Sequence, residues 1–382
     1  MSIPHGAVPG KDKEPGRTLR DLGEFRLLNE LVLPTVGSVL GDDCAVLDIP
    51  AGVRQFVVTT DAAPRPLIFS LGVEDFWAWG WYSVLINASD AAAVGASPLA
   101  FTSSVEAPDT FQVDALREFF DGMTSACHYF NLTNAGGNLR QAPRFACHGT
   151  AIGTLPPGES ALNRRECAPG DAVFVIGHCG LFISAFLNAR SCGILTLAPG
   201  DKDRLAKPVA QNREMSTLRR RHLVTSASDN SDGLLGAMWN IAERSGCGFE
   251  LNLDELRIPE IVSSTATAND FDPLNLLFCW GDWNVVITVA PSSIEEFLVT
   301  TRAEGISAMR LGHAIAGPAH LAAVTRGKRY ELALLRNENF TRSSYNADVS
   351  DQLKFMLQTP LLKRQLPPDS LPSTCADEMP PE

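Results

Sequence analysis

The sequence lacks the features of a membrane protein and of a disulfide-bonded secreted protein. No stretch approaches the roughly 18 consecutive apolar residues that a membrane-spanning helix needs. Residues 1–20 are polar and have no apolar core of the signal-peptide kind. The nine cysteines are scattered and form no Cys-x-x-Cys pair, so neither a zinc site nor a disulfide framework is indicated. We therefore expect a cytoplasmic protein that does not contact a membrane.

Basic residues are also scarce relative to acidic ones. The chain has 32 Lys and Arg against 44 Asp and Glu, which gives a net charge of −12 at pH 7. This balance argues against nucleic acid or an anionic membrane surface as the main partner. It does not exclude a nucleotide that is bound together with Mg²⁺, because the metal supplies the missing positive charge.

Three short acidic motifs lie between residues 41 and 107, at residues 41–43, 59–61 and 89–90. The β-branched run Val57–Thr60 predicts a strand, and Asp61 follows at its end. Apolar residues recur at helical spacing from residue 75 to residue 96, which predicts a helix with Asp90 near its C-terminal end.

Acidic side chains at the ends of apolar elements are costly unless a positive charge compensates them. No basic run lies nearby in the sequence. Carboxylate oxygens suit Mg²⁺, which is held by a few carboxylates together with phosphate oxygens and water. Taken singly, each aspartate is more typical of a turn or a helix cap than of a metal site. Together with the second half of the chain, the pattern favours a magnesium site.

A further acidic motif opens a predicted helix in the second half. Asp229 and Asp232 are three residues apart and are followed by Gly233, which exceeds what one helix cap requires.

Upstream, a buried strand ends in the turn Gly177–Gly180. This geometry can present N–H groups to a phosphate, although a purely structural turn explains it equally well. Residues 190–222 are basic; a solvated helix face is the favoured interpretation, and a clamp for an anionic substrate is the alternative.

The length of 382 residues predicts two domains, and alternating strands and helices predict an α/β or α+β architecture. The expected segments are a flexible arm (1–22), an N-terminal domain (23–154), a linker (155–170), a C-terminal domain (171–340) and a partly disordered extension (341–382).

Three local predictions concern glycine and proline. Ala135–Asn138 is expected to form a tight glycine turn. Two prolines in Pro64–Pro66 preclude regular structure and predict a shaped loop over the site. The proline-rich, charged tail from Thr359 is expected to be disordered.

Seven motifs, taken in order, carry a resemblance to a known family. They are Gly23–Phe25, Gly41–Leu47, Thr59–Asp61, Asn87–Pro98, Gly136–Asn138, Ala168–Asp171 and Asp229–Leu234. The series resembles the thiamine-monophosphate kinase branch of the aminoimidazole-ribonucleotide-synthetase-like (PurM-like) superfamily over roughly residues 23–320. Each motif alone is weak, and the ordered series is strong.

The resemblance implies a two-domain PurM-like fold whose N-terminal domain binds ATP and Mg²⁺ and pairs in a homodimer through a sheet or barrel. By position, it implies a set of metal ligands: Asp42, Asp43, Asp61, Asp90 and Asp232. It likewise implies nucleotide-binding residues: Asp43, Gly136, Gly137, Asn138, Ser231 and Gly233. Three aspartates would align the reactants or take the acceptor's proton: Asp229, Asp232 and Asp282. Phosphoryl transfer needs charge neutralisation and alignment more than a nucleophilic side chain, and a ring of carboxylates holding Mg²⁺ provides both.

The sequence also departs from the family pattern. The Gly-Gly-Asp motif ends here in Asn138, which keeps an oxygen ligand and loses a charge. The acidic residue and His-Phe pair of the family are replaced by Pro64–Phe69, which keeps only the phenylalanine. The Gly-Gly-Glu-Asp-Tyr motif becomes Cys279–Trp283, which loses the glutamate. The acceptor side is therefore expected to be rebuilt, with Arg65 and Trp283 as substrate-binding residues and Arg65 able to pair an acidic group.

Three functional hypotheses follow. The leading one is an ATP- and Mg²⁺-dependent phosphotransferase that acts on a small molecule other than, or besides, thiamine monophosphate. The second is an ATP-dependent enzyme that activates an amide or carbonyl oxygen and releases ADP and phosphate. The third is a non-catalytic nucleotide-binding protein; retention of the aspartates argues against it, because clustered carboxylates without a metal repel one another.

Overall fold

The computed structural model describes residues 26, 45–47, 55–341, 345 and 349–367. The predicted N-terminal arm, the expected ligands Asp42 and Asp43, and residues 368–382 lie outside the described residues.

The described helices and strands alternate along most of the chain. The α-helices are α1 (Phe76–Ala93), α2 (Val113–Tyr129), α3 (Leu181–Cys192), α4 (Pro199–Ala206), α5 (Asn212–Arg220), α6 (Leu234–Ser245), α7 (Glu260–Asn269), α8 (Pro273–Leu277), α9 (Ile294–Glu304) and α10 (Val349–Gln358). The strands are β1 (Ala45–Leu47), β2 (Gln55–Ala62), β3 (Ser97–Ala107), β4 (Thr133–Gln141), β5 (Ala146–Leu155), β6 (Ala172–Ile176), β7 (Ser226–Asp229), β8 (Gly248–Asn252), β9 (Val285–Val289), β10 (Ala308–Ile315), β11 (Leu321–Thr325), β12 (Lys328–Leu332) and β13 (Leu362–Leu366).

The N-terminal strands form an open sheet in the order β1-β2-β5-β3-β4. Side chains alternate along β2, so Val57, Thr59 and Asp61 face α1, whereas Val58 and Thr60 lie on the opposite face. Among the described elements, α1 and α2 pack on the first face, and the second face has no helix layer.

The C-terminal strands form a second, mixed sheet in the order β13-β12-β11-β8-β10-β6-β9-β7. Its interior strands β6 and β9 are buried along their whole length, because helices cover them. This confirms the predicted two-domain α/β (α+β) fold class. No helix or strand occurs between Leu155 and Ala172, where the linker is expected.

Helix α1 joins the two domains. It is apolar on nearly every side, and 13 of its 18 residues are buried, which is typical of a helix enclosed by protein rather than of a surface helix. Trp81 Nε1 donates to the carbonyl of Pro208 at 2.8 Å. Asn212 Nδ2 donates to the carbonyl of Ala88 at 2.8 Å. The N-terminal sheet and the C-terminal domain therefore share this helix as a common core element.

Glycines allow α1 and α2 to approach closely. A Cβ atom on Gly80 would lie 1.8 Å from the carbonyl oxygen of Phe119, and one on Gly122 would lie 1.9 Å from the carbonyl oxygen of Trp77. Real Cβ contacts never come this close, so both positions require glycine for steric reasons.

The prediction of a glycine turn at 135–138 was wrong, because these residues lie inside β4. Gly136 has φ of +95°, and its N–H donates to Asn134 Oδ1 at 3.0 Å. The pairing of β4 with β3 shifts register between Phe101 and Ser103 at this point. The glycines therefore form a bulge within the strand. Bulges and turns both use glycine for its positive φ angle, so the two look alike in the sequence.

The expectation of a disordered tail from Thr359 was also wrong for residues 359–367. Helix α10 precedes this segment, and strand β13 pairs antiparallel with β12. Leu361 and Leu366 are buried. Strand β12 supplies hydrogen-bond partners for β13. The local composition of the tail does not reveal these partners, because they belong to a remote sheet edge.

The cysteines and the helices of the described residues relate to two features that the sequence lacks. The seven cysteines that can be placed there are free thiols, and the Cys167 and Cys247 sulfur atoms touch at 3.7 Å as a thiol pair. Helices long and apolar enough to cross a membrane do not occur in this part of the chain.

Gly122→Ala should destabilise the protein by about 1–3 kcal/mol, because the new methyl group forces α1 and α2 apart. Urea unfolding of the variant measures the change. The matched control is Gly200→Ala, since Gly200 also lies in a helix but a Cβ added there would have no neighbouring atom within 4 Å. The control should be neutral or stabilised by about 1 kcal/mol through helix propensity. Equal effects of the two substitutions would contradict the steric explanation.

Candidate active site

Asp61 and Asp90 are brought together by the contact between β2 and α1. The hydroxyl of Thr59 donates to Asp90 Oδ2 at 2.6 Å. Thr59 and Asp61 point to the same face of β2 and are separated by roughly 7 Å along the strand. Two carboxylates from different elements therefore flank one corner of the N-terminal sheet.

Asp229 ends β7, which packs directly against α1. It is only 5% exposed, and its Oδ1 lies 3.4 Å from a guanidinium nitrogen of Arg164. Arg164 belongs to the linker, so it was not anticipated from the basic residues of the sequence. The charge of Asp229 is therefore compensated by a cation from a different part of the chain.

The loop Asp229–Gly233 is held by backbone hydrogen bonds to the segment that follows α8. The N–H of Asn230 donates to the carbonyl of Asn284 at 3.1 Å, and the N–H of Leu234 donates to the carbonyl of Phe278 at 2.9 Å. Gly233 has φ of +98°, a conformation that favours glycine. Ser231 is exposed at the tip of this loop, and Asp232 is half-buried beside it.

Arg336 is a second cation that the sequence patterns did not single out. Burial lowers the pKa of its guanidinium, while the nearby carboxylates Glu338, Asp232 and Glu243 act in the opposite direction. A buried positive charge therefore lies close to Asp232. No motif marks Arg336, because the proximity arises only when the chain beyond β12 returns to the loop before α6.

Asp282 lies at the N-terminus of α3. Its Oδ1 accepts the N–H of Phe182 at 2.9 Å, whereas Oδ2 is buried and accepts no hydrogen bond from the described residues. Burial raises the pKa of Asp282 to about 7, against the opposing effect of the N–H groups of Phe182, Gly180 and Leu181.

This arrangement favours the structural interpretation of the Gly177–Gly180 turn. The N–H groups that follow the turn face a carboxylate of the protein itself, which uses the positive end of the helix. A phosphate would have to displace Asp282 to bind there.

Arg65 and Trp283 lie on the two sides of the boundary between the domains. Arg65 is exposed, and its guanidinium carbon lies 4.7 Å from the centre of the Phe69 ring. Trp283 has φ of +51° and packs edge-on against Tyr82, with ring centres 5.9 Å apart. Its Nε1 is buried and has no hydrogen-bond partner among the described residues.

Gly136, Gly137 and Asn138 are exposed on the edge strand β4. Strands β5 and β3 lie between this strand and β2. Three strand spacings amount to roughly 14 Å along the sheet, so Asn138 and Asp61 of one chain cannot share a single metal ion.

The described residues fit a magnesium ion that is bound mainly through phosphate. Nowhere in this part of the chain do three or more His, Cys, Asp or Glu side chains form a metal-binding group. Mg²⁺ nevertheless needs only one or two carboxylates when substrate phosphates and water complete its shell. Asp61 and Asp90 are two carboxylates on the side of β2 that packs against α1.

The chain is similar to known proteins in its sequence and in its fold. The family model for AIR synthase related proteins matches over residues 41–155 for its N-terminal domain and over residues 168–323 for its C-terminal domain. The thiamine-monophosphate kinase of Methanopyrus kandleri is 30% identical over 295 residues, which cover 75% of this chain and 90% of that protein. The enzyme of the same name from Methanospirillum hungatei is 31% identical over 235 residues, which cover 61% and 76%.

The chain belongs to the AIR synthase related family, in its thiamine-monophosphate kinase-like branch. It is an ATP-dependent kinase by enzyme class. The resemblance seen in the sequence motifs is thereby confirmed.

Solved structures show the same fold. The structure described as AaThiL complexed with AMPPCP and TMP has a TM-score of 0.70 and 21% identity, and the match covers 85% of this chain and 99% of that one. The hydrogenase maturation protein HypE in complex with ATP has a TM-score of 0.60 and 20% identity, covering 86% and 97%.

Replacement of Asp282 by Asn should change how stability depends on pH. The folded pKa of about 7 exceeds the ordinary value of 3.8, so the folded protein binds more protons than the unfolded chain between those values. Stability therefore declines as pH rises through this window, and Asp282→Asn removes that contribution. Urea unfolding measures the free energy of unfolding of both proteins. The value for the wild type minus the value for the variant should fall by about 2 kcal/mol from pH 5 to pH 8. Parallel profiles for the two proteins would contradict the raised pKa.

Proposed function

We propose that the protein is an ATP- and Mg²⁺-dependent phosphotransferase whose acceptor side differs from that of the thiamine-monophosphate kinases. The observation that carries the proposal is the Thr59–Asp90 hydrogen bond, which brings Asp90 to the face of β2 that bears Asp61. Two carboxylates at the junction of the domains fit the metal-dependent chemistry of the family.

The proposed metal ligands are Asp42, Asp43, Asp61, Asp90 and Asp232. Bound Mg²⁺ would neutralise and align the triphosphate. Asp61 acts from β2, Asp90 from α1 and Asp232 from the loop before α6. The main chain of this loop is held in place by Asn337, whose N–H donates to the Asp232 carbonyl at 2.9 Å. Asp42 and Asp43 complete the set on the strength of their motif.

The proposed nucleotide contacts come from two segments of the chain. Ser231 and Gly233 belong to the loop before α6, and Gly136, Gly137 and Asn138 belong to the bulge in β4. Asp43 supports the same group from its motif. Because Asn138 and Asp61 lie too far apart to share one ion, the proposal assigns them to different parts of the bound nucleotide and its metal ions.

The proposed acceptor contacts are Arg65 and Trp283. The exposed guanidinium of Arg65 suits an anionic group on the acceptor. The ion pair with Arg164 fixes the carboxylate of Asp229. We assign this fixed carboxylate the role of orienting the acceptor. Asp282 has a pKa near neutrality and one oxygen without a partner among the described residues, properties that suit a proton acceptor.

Phosphorus NMR with ATP, Mg²⁺ and thiamine monophosphate, against a reaction without acceptor, tests the function. A new diphosphate signal that needs the acceptor would support the kinase and identify thiamine monophosphate as a substrate. ATP protection against heat without turnover would mean that the acceptor is another molecule. Release of ADP and phosphate during conversion of an amide or carbonyl substrate would instead favour the activating enzyme. The absence of both turnover and protection would refute both enzymatic proposals.

Asp232→Asn should abolish most of the stabilisation by MgATP, because a ligand raises stability by mass action only while it binds the folded state. At 100 times the dissociation constant, the wild type gains about 2.7 kcal/mol. Differential scanning fluorimetry with and without MgATP measures the change in melting temperature. The control is Asp203→Asn, an exposed aspartate on α4 paired with Lys207, which should keep the full shift. A wild-type shift in Asp232→Asn would remove this residue from the site.

We further propose a homodimer formed through the face of the N-terminal sheet that lacks a helix layer among the described elements. Val58 and Ile152 pair across β2 and β5 and belong to this face.

Ile152→Lys should convert the dimer into a monomer, because it introduces a charge into an apolar contact. The mass should fall from twice the chain mass of 41.2 kDa to that of a single chain. Size-exclusion chromatography with light scattering measures the mass. Leu195→Lys, an exposed position elsewhere, is the control. A dimer in both variants would exclude this face.

A further inference from the structure

The C-terminal segment made of Tyr345 and residues 349–367 contacts both parts of the site although it lies beyond the family match, which ends at residue 323. Helix α10 is anchored in the C-terminal domain through Asn275. Its Nδ2 donates to the carbonyls of Met356 and Thr359 at 2.8 and 2.9 Å. The segment is therefore an integral part of the fold.

The segment covers the rebuilt motif Cys279–Trp283. Trp280 Nε1 donates to Gln352 Oε1 at 2.8 Å, and Gln352 is fully buried. The ring of Tyr345 meets the ring of Trp280 edge-on, with centres 5.3 Å apart and planes at 83°.

The same segment supports the loop before α6. A Cβ atom on Gly233 would lie 2.8 Å from the methyl carbon of Met356, so Met356 packs directly on this glycine. The N–H of Tyr345 donates to Asn337 Oδ1 at 3.0 Å. Asn337 in turn donates its N–H to the carbonyl of Asp232.

Tyr345 also reaches across to the N-terminal domain. Its hydroxyl donates to the main-chain carbonyl of Arg65 at 2.6 Å. Pro64 and Pro66 on either side of Arg65 have no N–H, so this short segment has few main-chain donors with which to anchor itself. Burial raises the pKa of the Tyr345 phenol, which keeps the hydroxyl protonated and able to donate.

We propose that Tyr345 is a positioning residue that holds the Pro64–Pro66 segment against Trp280 and thereby sets the width of the acceptor side. Both sequence departures on the acceptor side touch this one residue, one through its hydroxyl and one through its ring. The part of the proposal that concerns the acceptor rests on the proposed function. The contact between the two segments does not.

Hydrogen–deuterium exchange of the full chain tests the positioning role. Tyr345→Phe removes the hydroxyl and keeps the ring on Trp280. Exchange in residues 62–72 should become at least about fivefold faster, while exchange in β6 and β9 and the melting temperature stay unchanged. Tyr129→Phe, which removes an exposed hydroxyl on α2, is the control and should change neither. Unchanged exchange in residues 62–72, or faster exchange throughout the C-terminal domain with a lower melting temperature, would overturn the proposal.

Kinetics with thiamine monophosphate as the probe acceptor add a second measurement. The KM for the probe should rise about fivefold in Tyr345→Phe, with kcat and the KM for ATP within twofold of the wild type. An unchanged KM in the variant would overturn the link to the acceptor. If the wild type shows neither turnover nor MgATP protection, the proposed function fails, and the exchange experiment alone decides whether Tyr345 positions the segment.

Discussion

The structure depends on one helix that is buried on almost all of its sides. α1 packs against the N-terminal sheet and α2 on one side and against elements of the C-terminal domain on the other. Such a helix cannot be exposed without leaving a large apolar surface in water, so the two domains are held together by the same burial that stabilises each of them. Because Asp90 lies near the end of this helix, the geometry of the candidate site is tied to the main core of the protein.

The aspartates of the site differ in how their charge is stabilised. Asp229 is paired with Arg164, Asp282 caps the N-terminus of α3, and Asp232 lies near the buried Arg336. Asp90 accepts a hydrogen bond from a neutral hydroxyl. Aspartates that look equivalent as sequence motifs therefore have their charges stabilised by different partners.

The two departures from the family pattern on the acceptor side are physically connected. The Pro64–Phe69 and Cys279–Trp283 segments lie in different domains, yet Tyr345 contacts both. A residue outside the family match thus joins the two segments that changed. A residue packed between two segments requires complementary surfaces on each side.

The sequence by itself determined the fold class, the family and the local placement of Asp61 and Asp90, because alternating apolar patterns and ordered motifs are local properties. It misassigned the bulge at Gly136 and the ordered strand Leu362–Leu366. Glycine serves turns and bulges alike, and a sheet edge that receives a strand is remote in sequence. Only the tertiary structure decided that Arg164 pairs with Asp229, that Asp282 caps a helix, and that Tyr345 reaches Arg65. Each of these contacts joins residues that are at least 65 positions apart, and no local pattern encodes such a contact.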